Sequence, residues 1–163
     1  KEMLWAMKPD KPQQITLFGK KMNTPRLQEA FGKSYTFSGS KFESTKSIPE
    51  LCERLIKKFN KLYRTGFNMV LINWYRDGDD YISMHSDNEK QIRENSPVIT
   101  VSIGQERTFV LQNIKTKEKH KFILENNSVL VMGGTCQKTH KHGITKKPKI
   151  KNYRISLTFR VFN

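Results

Sequence analysis

Cysteine is nearly absent from this chain of 163 residues: Cys52 and Cys136 are the only two, they lie far apart, and neither belongs to a Cys-x-x-Cys pattern. That argues against a disulfide framework or a structural zinc cluster and points to a reducing, intracellular compartment. Long apolar runs are missing too. None approaches the roughly 20 residues that a membrane-spanning helix needs, and no hydrophobic signal region stands near the start, so no membrane span is expected. The first residue is Lys1 and not Met, as expected of a trimmed sequence. Neither an internal repeat nor a low-complexity tract is visible. Acidic residues are scarce, with 15 Asp and Glu against 30 Lys and Arg, a formal net charge of +15. Such a surface favours a polyanion, nucleic acid before anionic membrane. A merely solvated lysine-rich face is the plain alternative.

What is present suffices for one domain over residues 1–163. The hydrophobic fraction of 36% is low but includes ten Phe, enough aromatic area for a core. Residues 1–46 are rich in Lys, Pro, Gly and Ser and read as loops and short strands laid over that core. The sequence Ser47-Ile48-Pro49-Glu50 reads as a capping box, and Leu51, Leu55, Ile56, Phe59, Leu62 and Tyr63 then recur at helical spacing until Thr65-Gly66. From Phe67 the period becomes two. Phe67 to Tyr75, Val98 to Ile103, Arg107 to Gln112, His120 to Leu124, Val129 to Met132 and Tyr153 to Val161 are strand-like runs separated by turn residues. A mainly β, α+β domain follows, an antiparallel sandwich or barrel over 67–163 with the helix of 47–65 on its outside.

The last strand is the most unusual segment. Alternation puts Arg154, Ser156, Thr158 and Arg160 on one face and Tyr153, Ile155, Leu157, Phe159 and Val161 on the other. Either it is an edge strand with a solvated basic face, or the two arginines line a cavity that receives an anion. Asn73 and Tyr75 project together from an earlier strand, so a small carboxylate ligand could sit between the two. His85 and Asp87 share a face two residues apart. With a distant third ligand, from among His120, His140 and His142, they would form the two-histidine, one-carboxylate arrangement of non-haem iron(II), which leaves coordination positions open.

Taken together, His85-Ser86-Asp87, His142 and the run from Arg154 to Arg160 resemble the AlkB family of iron(II)- and 2-oxoglutarate-dependent dioxygenases, whose motifs run H-x-D, a later H, then R-x-N-x-T-F-R. The match extends to Asn73-Trp74-Tyr75, to Ser102 through Phe109, and to Gly134 through Gln137, and so covers about Phe67 to Arg160. The N-terminal stretches Leu17 to Lys20, Pro25-Arg26, Phe31-Gly32 and Tyr35 to Gly39 look most like the nucleotide-recognition lid of the animal duplex-DNA repair member, and Gln137 to His142 also looks like viral members. The resemblance implies a double-stranded β-helix, or jelly roll, with an N-terminal helix and lid. It implies Fe(II) held by His85, Asp87 and His142, with 2-oxoglutarate and O2 as cosubstrates. Arg154, aided by Tyr75, would pair with the distal carboxylate of 2-oxoglutarate; Arg160, Asn73 and Thr158 would secure the rest. Ser156 stands where the family has Asn, and Asn88 where relatives often carry Asp.

For the nucleic-acid partner, the resemblance implies that Phe37 and His85 sandwich a flipped base while Tyr35 and Glu89 contact its edge. N-alkylation leaves the ring cationic, so aromatic faces and a carboxylate favour it over the neutral parent, and damage lowers the cost of extrusion. Phe18 would wedge into the duplex, though a core Phe is the plain reading. Arg26 and Lys146, Lys147, Lys149 and Lys151 would grip phosphates. The implied activity is direct-reversal alkylation repair: 2-oxoglutarate is decarboxylated to succinate and the hydroxylated methyl group leaves as formaldehyde. A monomer is expected, in the nucleus if the source is a eukaryote. Two alternatives compete: an iron hydroxylase acting on protein or a small molecule, and a basic binding module with a vestigial site.

Overall fold

The run from Met69 to Tyr75 is apolar on one face and, apart from Asn73 and the Tyr75 hydroxyl, on the other, and both faces are covered: all seven residues are buried. A computed structural model describes residues 1–17, 19–37, 40–42 and 46–163, with backbone alone at 17, 35, 37, 40 and 42. In chain order the elements are α1 (Glu2–Ala6), β1 (Gln14–Leu17), β2 (Lys20–Asn23), β3 (Leu27–Phe31), β4 (Tyr35–Phe37), β5 (Ser40–Phe42), α2 (Glu50–Tyr63), β6 (Met69–Tyr75), β7 (Ile82–His85), β8 (Val98–Gly104), β9 (Arg107–Asn113), β10 (Lys119–Leu124), β11 (Val129–Met132), α3 (Cys136–Thr139), β12 (His140–Ile144) and β13 (Arg154–Arg160). Two antiparallel sheets carry the domain, a five-stranded one in the order β11-β8-β13-β6-β3 and a four-stranded one in the order β10-β9-β12-β7. This is the jelly roll expected, and the six strands anticipated from period-two runs all form, with ends displaced by at most two residues.

The basic strand settles one open alternative. β13 is the middle strand of the five-stranded sheet, paired with β6 on one side and β8 on the other, and every residue in it is buried. Its apolar face, Ile155, Leu157 and Phe159, packs with Val70, Ile72 and Trp74 of β6 beneath Cys52 and Phe59 of α2. Its polar face must therefore line the space between the sheets, where Tyr75, Val98, Phe109, Leu124, Met132 and Ile144 form a second apolar cluster.

Three expectations need correction. α2 starts at Glu50 with Pro49 as N-cap and no side-chain cap, so the capping box at Ser47 does not form. The residue before a proline is driven out of helical conformation, which keeps Ile48 and Ser47 outside; Glu50 and Glu53 still sit favourably in the first turn. At the other end the helix stops at Tyr63, short of Thr65, and Arg64 takes the left-handed cap with φ of 49°. The Asn60 side chain brackets Phe67, donating to its carbonyl at 3.0 Å and accepting from its amide at 2.6 Å, which fixes the turn that follows. Leu62, in the last turn, is 64% exposed. Finally, the N-terminal part is not simply laid over the core. β3 is hydrogen-bonded to β6 as an edge strand, and Leu4 of α1 is buried under Trp74, whose Nε1 donates to the Leu4 carbonyl at 2.8 Å.

Two loops that meet near the site are locked by close approach. Gly78 donates to the Ile150 carbonyl at 2.9 Å and accepts from the Lys147 amide at 2.7 Å. A Cβ at position 78 would lie 1.7 Å from the Lys147 carbonyl oxygen, so only glycine fits. Among the described residues no helix is long and apolar enough to cross a membrane.

Candidate metal centre and carboxylate cavity

Pairing across the four-stranded sheet brings two histidines together. β12 and β7 put His142 directly opposite His85, with ring centroids 4.3 Å apart. Asp87 lies two residues past the end of β7 and is buried; its backbone N–H donates to Gln137 Oε1 at 2.8 Å, which ties it to α3. Asp87 Oδ1 is then 3.7 Å from His85 Nε2, and Oδ2 is 3.6 Å from His142 Nε2. One donor atom from each of the three residues falls within 4.8 Å of the others.

The electrostatics suit a cation. Burial lowers the pKa of both imidazoles, that of His142 to about 4, so at neutral pH both are neutral and present lone pairs. Burial would raise the Asp87 carboxyl, but Arg160 and the two histidines outweigh it and hold the value at about 2. His85 Nδ1 lies 2.9 Å from the Ser83 carbonyl; since a carbonyl only accepts, the proton sits on Nδ1 and Nε2 faces the acid. The His142 ring stacks on Phe109 at 5.4 Å and 18°, and its buried Nδ1 has no hydrogen-bond partner among the described residues. Two neutral imidazoles and one anion, converging on one side, form the donor set that suits iron(II), so the residues fit that ion.

This arrangement predicts an acid sensitivity in the metal-free protein. Below pH 6.5 the unfolded chain takes up a proton at His142 that the folded protein accepts only near pH 4, so stability is complete above that window and falls as pH drops through it. The loss across the window is roughly 3 kcal/mol, and Asp87 adds a further loss between 3.8 and about 2. Urea midpoints of chelator-treated protein should drop between pH 7 and pH 5; an unchanged midpoint contradicts the assignment.

The triad forms part of a cavity between the sheets, lined also by Asn73, Tyr75, Thr100, Arg154, Ser156, Thr158 and Arg160. Cross-strand pairing explains the set: Tyr75 lies opposite Arg154, and Asn73 opposite Ser156. Arg154 is 1% exposed; its Nη2 donates to Ser102 Oγ at 2.8 Å, while Nε and Nη1 meet no hydrogen-bond partner among the described residues. The guanidinium lies 5.0 Å from the centroid of the Tyr75 ring. A buried cation with two unused donors is a carboxylate receptor in waiting. Arg160 differs, because its Nη2 donates to Asp87 Oδ1 at 2.5 Å.

Other anticipated residues fall elsewhere. Arg26 is 4% exposed, and its Nε donates to Asn73 Oδ1 at 2.8 Å. In this structure the guanidinium thus braces Asn73 on the cavity wall, and Arg26 also lines the cleft outside it. Glu89 shares with Arg26, Ser83, Met84 and His85 an outer cleft next to the cavity. Burial raises its pKa, and one carboxylate oxygen is buried with no partner among the described residues. Lys146, Lys147, Lys149 and Lys151 are exposed, with Lys146 paired to Asp79 at 3.2 Å. Phe18 and the side chains of Tyr35 and Phe37 lie outside the described residues. His120 is exposed beside Glu118, and His140 meets Thr139, so neither joins the triad. Ser102, Phe109 and Gln137, which hold the site's groups, lie in segments that carry the family resemblance, but no role was assigned to them from the sequence, because their roles depend on pairings that no local pattern reveals.

The profile of the 2OG-Fe(II) oxygenase superfamily matches residues 5–160. The bovine (Bos taurus) protein named DNA oxidative demethylase ALKBH2 is 33% identical over 157 residues, covering 90% of this chain and 56% of that protein. The uncharacterized protein R406 of Acanthamoeba polyphaga mimivirus is 32% identical over 128 residues, covering 78% of this chain and 66% of that protein. The chain thus spans about half to two-thirds of the length of these relatives. The solved structure of OsALKBH1 superposes with a TM-score of 0.64 at 21% identity, over 83% of this chain and 78% of that one, and so shares the fold.

Proposed function

Because the chain belongs to the 2OG-Fe(II) oxygenase superfamily, we propose that it oxidatively demethylates N-alkylated bases in nucleic acid, with 2-oxoglutarate and O2 as cosubstrates. The observation that carries the reading is the placement of His85, Asp87 and His142 on the wall of the same cavity that Arg154 closes with an unsatisfied guanidinium. The name DNA oxidative demethylase on the bovine relative supports DNA as substrate. In this reading the protein works inside the cell, in the nucleus if the source is a eukaryote, and as a monomer.

In this reading His85, Asp87 and His142 hold iron(II), and the bound iron supplies activation of dioxygen against a cosubstrate and a C–H bond. The chain's own residues bind, orient and exclude water. Arg154 and the Tyr75 ring receive the distal carboxylate of 2-oxoglutarate, while Asn73, Thr158 and Arg160 form the adjoining wall. Arg160 also keeps Asp87 ionised and aligned, and Phe109 fixes the rotation of His142. The alkylated base would enter through the outer cleft, where Glu89 offers a carboxylate to a cationic ring beside His85. Tyr35, Phe37 and Phe18 complete the lid, and the lysines at 146, 147, 149 and 151 take the phosphates.

The test is a panel of oligonucleotides carrying 1-methyladenine or 3-methylcytosine, single- and double-stranded, deoxy and ribo, assayed for formaldehyde and succinate. Release of both products from at least one oligonucleotide, requiring iron(II) and 2-oxoglutarate, is expected. Succinate without formaldehyde from every oligonucleotide would exclude the nucleic-acid substrate and leave a hydroxylase of another class.

A further inference from the structure

Arg107 on β9 is 1% exposed, yet among the described residues its charge is met by no carboxylate within ion-pair distance. Instead Nη1 donates to the Asp77 carbonyl at 3.0 Å, and Nη2 donates to the carbonyls of Asp80 and Thr145, both at 2.8 Å. Those carbonyls belong to two loops, Asp77 and Asp80 in the one between β6 and β7 and Thr145 in the one after β12. Asp77 follows the strand that ends in Tyr75, Asp80 precedes the strand that ends in His85, and Thr145 follows the strand that carries His142. One planar fork thus joins the backbone behind three of the groups that line the cavity.

The guanidinium also lies 5.6 Å from the centroid of the Tyr75 ring, the same ring that Arg154 approaches at 5.0 Å. Tyr75 and Arg154 line the cavity and Arg107 does not. A buried cation is costly to place and is retained at such a position where its charge or its fork is used. Here two cations approach one aromatic ring; the charges of Asp80 and Asp77 favour the Arg107 cation, and among the described residues no carboxylate pairs with Arg154. The positive charge at Arg154 is relieved when a carboxylate enters beside it.

We propose that Arg107 is a positioning residue for the cosubstrate, holding Tyr75 against Arg154 and adding its charge to the field that receives the distal carboxylate. The inference rests on the 2-oxoglutarate reading given above. A clip that merely joined loops would affect stability alone. A positioning residue affects the affinity for 2-oxoglutarate and leaves the nucleic-acid cleft, which it does not touch, as it was.

The experiment measures 2-oxoglutarate binding to manganese(II)-loaded protein by calorimetry, beside steady-state formaldehyde release, for wild type, Arg107→Gln and Arg107→Lys. We expect Arg107→Gln to weaken 2-oxoglutarate binding by about tenfold or more and to raise its KM in parallel. Its kcat at saturating 2-oxoglutarate and its KM for the oligonucleotide should change by less than about threefold. Arg107→Lys restores the charge but reaches one carbonyl where the fork reached three, so an intermediate affinity is expected; it also serves if the Gln variant does not fold. A wild type that fails to bind 2-oxoglutarate overturns both this inference and the reading beneath it. Folded variants that bind 2-oxoglutarate as wild type does, or that lose kcat and oligonucleotide affinity equally, overturn the role of Arg107 alone.

Discussion

Replacement of Asp87 by alanine is expected to cut formaldehyde release by on the order of 1,000-fold, and to abolish saturable iron(II) binding in a protein that remains folded. The carboxylate is the only anion between the two histidines in the triad, and both imidazoles are held neutral by burial. Without it a divalent ion would meet two neutral ligands and the nearby Arg160 guanidinium, which repels it. Asp87→Asn is the sharper variant, since it keeps the shape while removing the charge. Iron titration and turnover should fail together in both variants, with circular dichroism unchanged. Turnover that survives in either one, with iron bound at wild-type affinity, would place the metal elsewhere.

The parts of this site that lie on one strand were legible in the sequence, because a period of two is a property of the strand itself. Arg154, Ser156, Thr158 and Arg160 could be put on one face before any partner strand was known. Whether that face met water or a cavity was not legible, since the answer depends on β13 being central, and centrality comes from long-range pairing with β6 and β8. The same limit explains the third ligand. Among His120, His140 and His142, only the resemblance chose; the physical choice is made by the register that places His142 opposite His85. Gly78, Ser102, Arg107 and Gln137 act through contacts between loops or across strands; the resemblance spans the last three, but their neighbours do not say what they touch. Arg26 meets the same limit. A basic residue near a lid reads as a surface contact, but the fold turns it inward onto Asn73. Charge composition reports how many cations a chain carries, and burial decides which of them still face a polyanion.

Replacing Arg154 by methionine should separate stability from function. In the metal-free, cosubstrate-free protein Arg154 is a buried cation whose pKa burial lowers, with Ser102 Oγ as its hydrogen-bonded acceptor and two further donors unused. Methionine fills much of the same volume without a charge to desolvate, so the variant should unfold within about 1 kcal/mol of wild type or above it. Binding should go the other way. The guanidinium is the group that would meet the distal carboxylate inside a water-poor cavity, where loss of one member of a charged, hydrogen-bonded pair costs several kcal/mol, and affinity for 2-oxoglutarate should fall by on the order of 100-fold. Thermal melts make both effects visible in one experiment: saturating 2-oxoglutarate with manganese(II) should raise the wild-type midpoint by several degrees through mass action and leave that of the variant unmoved at the same concentration. Iron affinity should be retained, since Arg154 is not part of the triad. A variant that is strongly destabilised yet binds 2-oxoglutarate normally would show that Arg154 serves the fold and that the carboxylate is held by another group. The expected pattern, with stability kept or gained while cosubstrate affinity is lost, is what a site leaves behind when a buried charge is retained for its ligand and not for the core.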